Sequence, residues 1–198
     1  MHRSLLAALA GLTLALPVAA QETGTPVFQA PYRAFTRSEF GLSFSDPGSG
    51  VALEGFYRMG SGSNDFGLRA GFWDAEGSDN TSFLIGGDFR TRVVTHTQDF
   101  PLDGALTVGF GAALSDASSV GFIPVGISLG RRIELEDSET SFVPYMHPVL
   151  VPTFGDDSDL LFALGLGVDI KFTPRFDLRV SGAIGDYEGI AISAAWLR

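Results

Sequence analysis

The chain offers few residues for catalysis, because it contains three histidines and no cysteine. His96 lies between two threonines in a long connecting segment, and His147 lies between Met146 and Pro148. Nucleophilic catalysis needs a nucleophile, a base and an orienting acid within mutual reach, and neither histidine has a spacing that indicates such a set. The alternation around His147 places its side chain toward lipid or a protein neighbour. We therefore predict a structural role for both histidines and no catalytic residue.

An acidic turn is the candidate for a metal site. The run "GDDSD" groups Asp156, Asp157 and Asp159, and clustered carboxylates are the ligands that calcium prefers. The run lacks the glycine and the distal glutamate of a complete calcium loop, so a solvated acidic turn is favoured. Glycine-rich pieces such as "GFGAAL" and "GLGVDI" lie inside strand patterns, which argues against a phosphate-binding loop. The sequence predicts no metal and no cofactor.

The first twenty residues have the layout of a cleaved secretory signal peptide. Arg3 supplies a positive charge, residues 5–16 form a short apolar core, and small residues at 18–20 offer a cleavage site. The core is shorter than the ~20 apolar residues that a membrane-spanning helix needs. We therefore predict a signal peptide at 1–20, export from the cytoplasm, and a short N-terminal leader at 21–35.

The net charge argues against nucleic acid as a partner. The chain has 13 basic and 23 acidic residues, and loss of Arg3 with the signal peptide leaves 12 basic residues and a formal charge of −11. This charge repels phosphates, and no basic patch stands out against it. All but one of the remaining basic residues are arginines, the exception being Lys171.

Alternation of apolar and polar residues dominates the predicted barrel domain at 36–198. This period of two predicts strands, and turn-forming residues separate the segments. The segments lie at 37–45, 51–59, 65–74, 82–94, 104–114, 121–134, 141–153, 160–172, 175–185 and 188–197. The pattern predicts an all-β, antiparallel up-and-down transmembrane β-barrel of about ten strands. Segment 141–153 contains three prolines, which central strands disfavour, so eight strands are the alternative.

The polar residues of each predicted strand fall at alternate positions, which we call the polar parity. The composition of this parity indicates which face of the sheet lies inside the barrel. A soluble barrel shows its polar face to water, with charge spread widely over the surface, whereas a membrane barrel turns its apolar face to lipid. Here the polar parity is rich in glycine, and its basic residues are mostly arginine, which pairs well with carboxylates in enclosed space. We therefore predict a narrow lumen closed by a polar network. The network comprises Glu54, Arg58, Arg69, Asp88, Arg90, Arg92, Arg132, Asp169, Lys171 and Arg179.

Aromatic residues on the apolar parity lie toward the ends of the predicted strands. Two belts of aromatics at the two membrane interfaces are typical of transmembrane barrels. The predicted interface aromatics are Tyr57, Phe66, Phe72, Phe83, Phe172, Phe176 and Trp196.

With these features, the chain resembles the small outer-membrane β-barrel proteins of Gram-negative-type bacteria. The resemblance rests on the signal peptide, the hairpin "GLGVDIKFTPRFDLRVSGAIGD" and the closing strand "EGIAISAAWLR", and it covers roughly residues 36–198. It implies location in the cell outer membrane, contact with outer-membrane lipid, and insertion by the outer-membrane assembly machinery. In this class that machinery reads an aromatic residue at the end of the last strand. Here Trp196 is third from the end and Arg198 follows it.

These observations favour a non-enzymatic outer-membrane β-barrel with a structural or surface-interaction role. The alternatives are a narrow pore for small solutes and a soluble periplasmic or secreted ligand-binding barrel. A lumen filled by charged side chains leaves little room for water, which favours a closed barrel over a pore. The connections on one rim are short and acidic, so we also expect divalent cations or basic partners to bind there at low salt.

Overall fold

The structure is a computed structural model that describes residues 28–31, 35, 37–48, 50–77, 81–116, 118–156, 158–186 and 188–198. The expected signal peptide at 1–20 lies outside the described residues. The strands of the described part are β1 (Glu39–Asp46), β2 (Val51–Ser61), β3 (Asn64–Asp74), β4 (Thr81–Val94), β5 (Asp103–Leu114), β6 (Ser119–Phe122), β7 (Val125–Gly130), β8 (Ile133–Glu134), β9 (Ser141–Gly155), β10 (Leu160–Thr173), β11 (Phe176–Gly185) and β12 (Gly189–Leu197). No helix among these residues is long and apolar enough to cross a bilayer.

The strands close into an antiparallel barrel. β12 returns to pair with β1, and this pairing places Phe40 opposite Trp196. β6 and β7 both pair with β5 on one side, and β6, β7 and β8 all pair with β9 on the other, so the three pieces occupy one position in the barrel. We call them the segmented strand; it corresponds to the single strand predicted at 121–134. The prediction of ten strands is confirmed.

The proline-rich segment 141–153 forms part of β9 because its prolines share one edge. Pro144, Pro148 and Pro152 stand at every fourth position, so all three point their missing N–H groups in the same direction. That direction is toward the segmented strand. On the other edge the pairing of β9 with β10 is continuous from Leu160 to Lys171. The prolines therefore weaken one pairing of β9 and leave the ten-stranded barrel intact.

The barrel turns apolar side chains outward and charged side chains inward. Leu160 and Ile190 on the outer face are each 62% exposed, whereas the side chains of Glu39 and Asp177 are fully buried inside. A soluble barrel has the reverse arrangement, with its apolar side chains inside. A barrel in a bilayer turns its apolar side chains outward and its charged side chains inward, and the side chains of this barrel have that distribution.

Aromatic side chains on the outer face lie near both ends of the barrel. At the end that carries the start of β1, which we call the terminal end, the ring of Trp196 lies 5.9 Å from Phe40 and 5.4 Å from Phe176. At the opposite end, the loop end, Phe72 and Phe83 pack edge to face at 5.6 Å. The other predicted interface aromatics follow the outward parity toward the terminal end: Tyr57, Phe66 and Phe172. The arrangement corresponds to an aromatic group at each interface.

The orientation of the apolar face leads to a test with Leu68, which points outward from the middle of β3 and is 47% exposed. Leu68→Arg should lower the free energy of unfolding by about 2–4 kcal/mol, because it places a charge at mid-membrane depth. Phe100→Arg is the control, since Phe100 is exposed in the connection between β4 and β5, outside the strands. Urea unfolding in lipid vesicles measures the free energy of unfolding of both variants. Equal effects of the two substitutions would show that the outer face does not contact lipid.

Candidate functional site

The lumen near the terminal end contains a buried ion-pair network. Arg58 of β2 donates to both carboxylate oxygens of Asp88 on β4, at 2.7 and 2.6 Å, and also to one oxygen of Asp65 on β3. Arg90 of β4 donates to the other Asp65 oxygen from two of its nitrogens, at 2.9 and 2.7 Å. Charge-assisted hydrogen bonds between arginine and carboxylate are among the stronger polar contacts in proteins. These four side chains therefore tie β2, β3 and β4 together from the inside.

A second group of charges joins this network through Glu39 of β1. Arg179 of β11 donates to both oxygens of Glu39, at 2.9 and 2.5 Å, and lies 3.7 Å from Asp169 and 3.9 Å from Asp177. Glu39 also lies 3.8 Å from the Nε of Arg58. The two arginines share one carboxylate, so ion pairing continues from β11 across β1 to β4.

The structure brings most of the predicted network together. Seven of the predicted residues line or adjoin one central cavity of about 80 Å³: Glu54, Arg58, Arg69, Asp88, Arg90, Asp169 and Arg179. Lys171 is half-buried near the terminal end, opposite Asp177. The cavity has room for a few water molecules.

Two predicted members of the network differ from expectation. Arg132 is exposed in the gap between β7 and β8, so it lies outside the enclosed network. The alternation in the sequence continues through residue 134, but the strand is interrupted before it reaches Arg132. Arg92 is also exposed, and its guanidinium lies 4.9 Å from the centre of the Phe35 ring. Both positions follow the inward parity, yet they lie at the rim of the barrel where the lumen opens.

The prediction missed two carboxylates on which the network depends. Glu39 and Asp65 are buried; Glu39 contacts Arg179 and Arg58, and Asp65 contacts Arg58 and Arg90. Asp65 has the parity of the glycines and arginine that follow it in β3, and Glu39 has the parity of the glycine in β1. Both stand at the first or second position of a strand in the structure.

His147 lies inside the barrel, so the expectation that it faces lipid or a protein neighbour was wrong. Its Nδ1 accepts a hydrogen bond from the backbone N–H of Gln29 at 3.2 Å, and its Nε2 lies 2.7 Å from the hydroxyl of Thr107. Because Nδ1 is an acceptor, the ring proton is on Nε2 and is donated to Thr107. β9 has apolar residues on both faces, with valines inward and prolines outward, so its alternation could not mark the lumen side.

Part of the expected leader fills the lumen. Residues 28–31, which we call the internal segment, run inside the barrel and were expected to precede it. Three of its carbonyl oxygens accept hydrogen bonds from barrel side chains: Phe28 from Tyr145, Gln29 from Ser128, and Ala30 from Arg90. Backbone groups inside a barrel need such partners, because no strand pairing satisfies them. The segment therefore forms part of the barrel's interior.

Phe28 occupies a niche in the wall formed by β9 and β10. Gly165 lines this niche, and a Cβ on Gly165 would overlap the Phe28 ring. The ring packs edge to face against His147, with 6.0 Å between the ring centres. Phe28 is 9% exposed, so the niche encloses most of the side chain.

The lumen toward the loop end is apolar, which limits the expectation of a polar closure to the terminal half. Two clusters of buried apolar side chains lie in the interior. One is at the loop end and comprises Ala52, Trp73, Leu84 and Ala113. The other extends from the loop half to the level of the ion pairs, where Val143 stands opposite Asp169, and comprises Phe28, Ala30, Phe122, Val143, Tyr145, Val149, Val151 and Ala163. The lumen is therefore closed in series by an ionic layer and an apolar layer.

Among the described residues, no group of three or more histidine, aspartate or glutamate side chains is arranged to hold a metal ion. His96 lies outside the lumen, where its Nδ1 is 2.9 Å from Asp103. Asp157 of the acidic turn lies outside the described residues. Ion pairs, one neutral histidine and packed apolar side chains hold the interior together.

The chain matches no protein-family model and no curated protein sequence. Solved structures of similar shape include a chain from "De novo design of transmembrane beta-barrels", with 14% identity and a TM-score of 0.43 over 85% of this chain and 99% of that chain. The β domain of the Bordetella autotransporter BrkA has 14% identity and a TM-score of 0.49 over 81% of this chain and 96% of that one.

A bacterial polysaccharide outer membrane secretin has 12% identity and a TM-score of 0.47 over 74% of this chain. The match spans 56% of the secretin chain. The expected resemblance to outer-membrane β-barrels is confirmed at the level of this class. At these identities and TM-scores the likeness is one of fold and carries no argument about activity.

The pair Arg58–Asp88 provides a test of the ionic layer. Asp88→Ala and Arg58→Ala should each lower the free energy of unfolding by about 3–5 kcal/mol, because a buried charge loses its partner. The double variant should lower the free energy of unfolding by clearly less than the sum of the two single effects. Urea unfolding of the three variants measures this coupling. The pair His96–Asp103 is the control, because the His96 side chain is 46% exposed, and its expected coupling is below about 1 kcal/mol. Strict additivity for Arg58 and Asp88 would show that the lumen pair is not enclosed.

Gly165 tests whether Phe28 is seated in the niche. Gly165→Ala should destabilise the barrel by about 1–3 kcal/mol, because the added methyl group displaces the ring. Gly182→Ala is the matched control, since a Cβ there would approach only the Gly189 carbonyl, at 3.4 Å. Thermal unfolding compares the stability of the two variants. We expect Phe28→Ala to restore stability in the Gly165→Ala background. No restoration would contradict the placement of the Phe28 ring in the niche.

Proposed function

We propose that the chain is a non-enzymatic β-barrel of the outer membrane with a closed lumen and a structural or surface-interaction role. The observation that carries the proposal is the polarity of the barrel. Its large apolar side chains are outside, and the side chains of Glu39, Asp65 and Arg90 are buried inside. Burial of these charges together with exposure of the apolar residues stabilises the barrel in lipid and not in water.

A closed lumen is supported by what fills it. The internal segment, the ion pairs of the terminal half and the two apolar clusters all occupy the interior. The central cavity is about 80 Å³ and is bounded by these groups. This arrangement favours the closed barrel over the narrow pore, and the apolar outer face favours it over a soluble ligand-binding barrel.

The chemistry of the barrel's outer surface indicates which partners it would have. Outer-membrane lipid would contact the apolar outer face, and the assembly machinery would read the last strand with its outward-facing Trp196. The loop end carries acidic residues, including Asp74, Glu76 and Asp186, which would attract divalent cations or basic partners at low salt. A role at the surface would therefore be carried by the loop end.

Planar-bilayer recording of the purified protein tests the closed lumen. We expect no steady openings, because two layers of different chemistry close the lumen in series. The double variant Arg58→Ala/Arg90→Ala removes cations from the ionic layer and should also stay closed, since the apolar layer remains. Steady, voltage-independent openings of the unaltered protein would favour the pore. Recovery of the exported chain as a soluble monomer without detergent would instead favour the soluble barrel.

A further inference from the structure

Three exposed arginines line one groove on the rim of the terminal end. The groove, which we call the arginine groove, is formed by Arg37, Pro174, Arg175, Leu197 and Arg198. None of these five residues is acidic, although acidic residues outnumber basic ones by 23 to 13 in the chain. The groove therefore concentrates positive charge on a protein whose net charge is negative.

Backbone hydrogen bonds hold the three arginines at the ends of neighbouring strands. β12 pairs with β1 on one side and with β11 on the other. Beyond these pairings, the N–H of Arg198 donates to the carbonyl of Ser38 at 2.8 Å, and the N–H of Leu197 donates to the carbonyl of Arg175 at 2.9 Å. Since Ser38 directly follows Arg37 and neighbouring strands are only about 4.8 Å apart, the three guanidinium groups stand within reach of one phosphate group.

A row of aromatic rings lies on the outer face next to the arginine groove. In the strand register Trp196 stands opposite both Phe40 and Phe176, and Phe176 stacks on Phe172 with 6.3 Å between the ring centres. We call these four rings the aromatic row. In a transmembrane barrel, aromatic side chains at the strand ends lie at the level of the lipid headgroups. Arg175 directly precedes Phe176, so the groove lies beside the headgroups.

We propose that the arginine groove binds the phosphate of an anionic phospholipid headgroup, while the acyl chains of the lipid lie against the aromatic row. Guanidinium groups often bind phosphate through two parallel charge-assisted hydrogen bonds, and basic pockets at a membrane surface bind anionic headgroups. A free phosphate would contact the arginines alone, whereas a lipid contacts the arginines and the rings together. This inference rests on the proposed location of the barrel in a membrane.

Native mass spectrometry of the detergent-purified barrel tests the site with phosphatidylglycerol as the probe. Arg37→Gln/Arg175→Gln should lower the affinity for phosphatidylglycerol about 25-fold, because each arginine at a membrane surface contributes a factor of about five. Arg198→Gln alone should lower the affinity about fivefold. The backbone hydrogen bond from Arg198 to Ser38 does not depend on the side chain, so this variant keeps the closure of the barrel.

Arg131→Gln/Arg132→Gln is the matched control. Both arginines are exposed at the terminal end, between β7 and β8, and neither lines the groove. Arg131 donates to the carbonyl of Pro101 at 3.1 Å, and Arg37 donates to that of Pro174 at 3.0 Å, so the control removes the same charge and the same kind of bond. It should leave the affinity for phosphatidylglycerol nearly unchanged. An equal loss in both double variants would overturn the proposal, because net charge alone would then explain the loss.

Two further ligands distinguish a lipid from a free anion. Phosphatidylethanolamine with the same acyl chains carries an ammonium group that the arginines repel, so it should bind more weakly than phosphatidylglycerol. Inorganic phosphate at the concentration of the lipid should not displace phosphatidylglycerol, because phosphate makes no contact with the aromatic row. Equal affinity for the two lipids, or displacement by equimolar phosphate, would overturn the site in a barrel that still needs detergent. Recovery of the barrel without detergent would instead contradict the membrane location.

Discussion

The rest of the structure depends on one constraint: charges that face the lumen of a barrel in lipid have to be satisfied inside it. Glu39 shows how the chain meets this constraint. It stands on β1, the strand that closes the barrel against β12, and it receives both Arg179 from β11 and Arg58 from β2. The same carboxylate therefore links the two sides of the closure, and its arginines are in turn held by Asp65, Asp88, Asp169 and Asp177.

A second constraint is the width of the interior. Barrels of eight strands are filled by their own side chains, and ten strands enclose more space than that. In this chain the additional space contains the internal segment, whose carbonyl groups are bonded to Tyr145, Ser128 and Arg90. The internal segment and the barrel domain are therefore one packed unit, and the ionic layer extends onto the segment through Arg90.

The prolines of β9 connect these two constraints. Their spacing of four keeps the pairing with β10 intact and confines the lost hydrogen bonds to the pairing with the segmented strand. Gln29 is hydrogen-bonded from within the lumen to both strands of that pairing, through Ser128 and His147. Thr107 of β5 reaches His147 over Gly126, which has no side chain to obstruct the contact. Interior contacts thus reinforce the barrel where the backbone pairing is weakened.

The sequence by itself predicted about ten strands, with eight as the alternative, and determined in most of them which side chains face inward. In β2 to β4 a glycine-and-arginine parity alternates with an aliphatic one, so the lumen-facing positions of Arg58, Asp88 and Arg90 follow from the alternation alone. Only the tertiary structure decided the direction of His147, the route of the internal segment and the pairing partners of each arginine. Alternation is a local property of a strand, and it does not indicate the lumen-facing side where both faces are apolar, as in β9. Which groups meet across a lumen depends instead on register, closure and the space that ten strands enclose, none of which is encoded in the neighbours of a single residue.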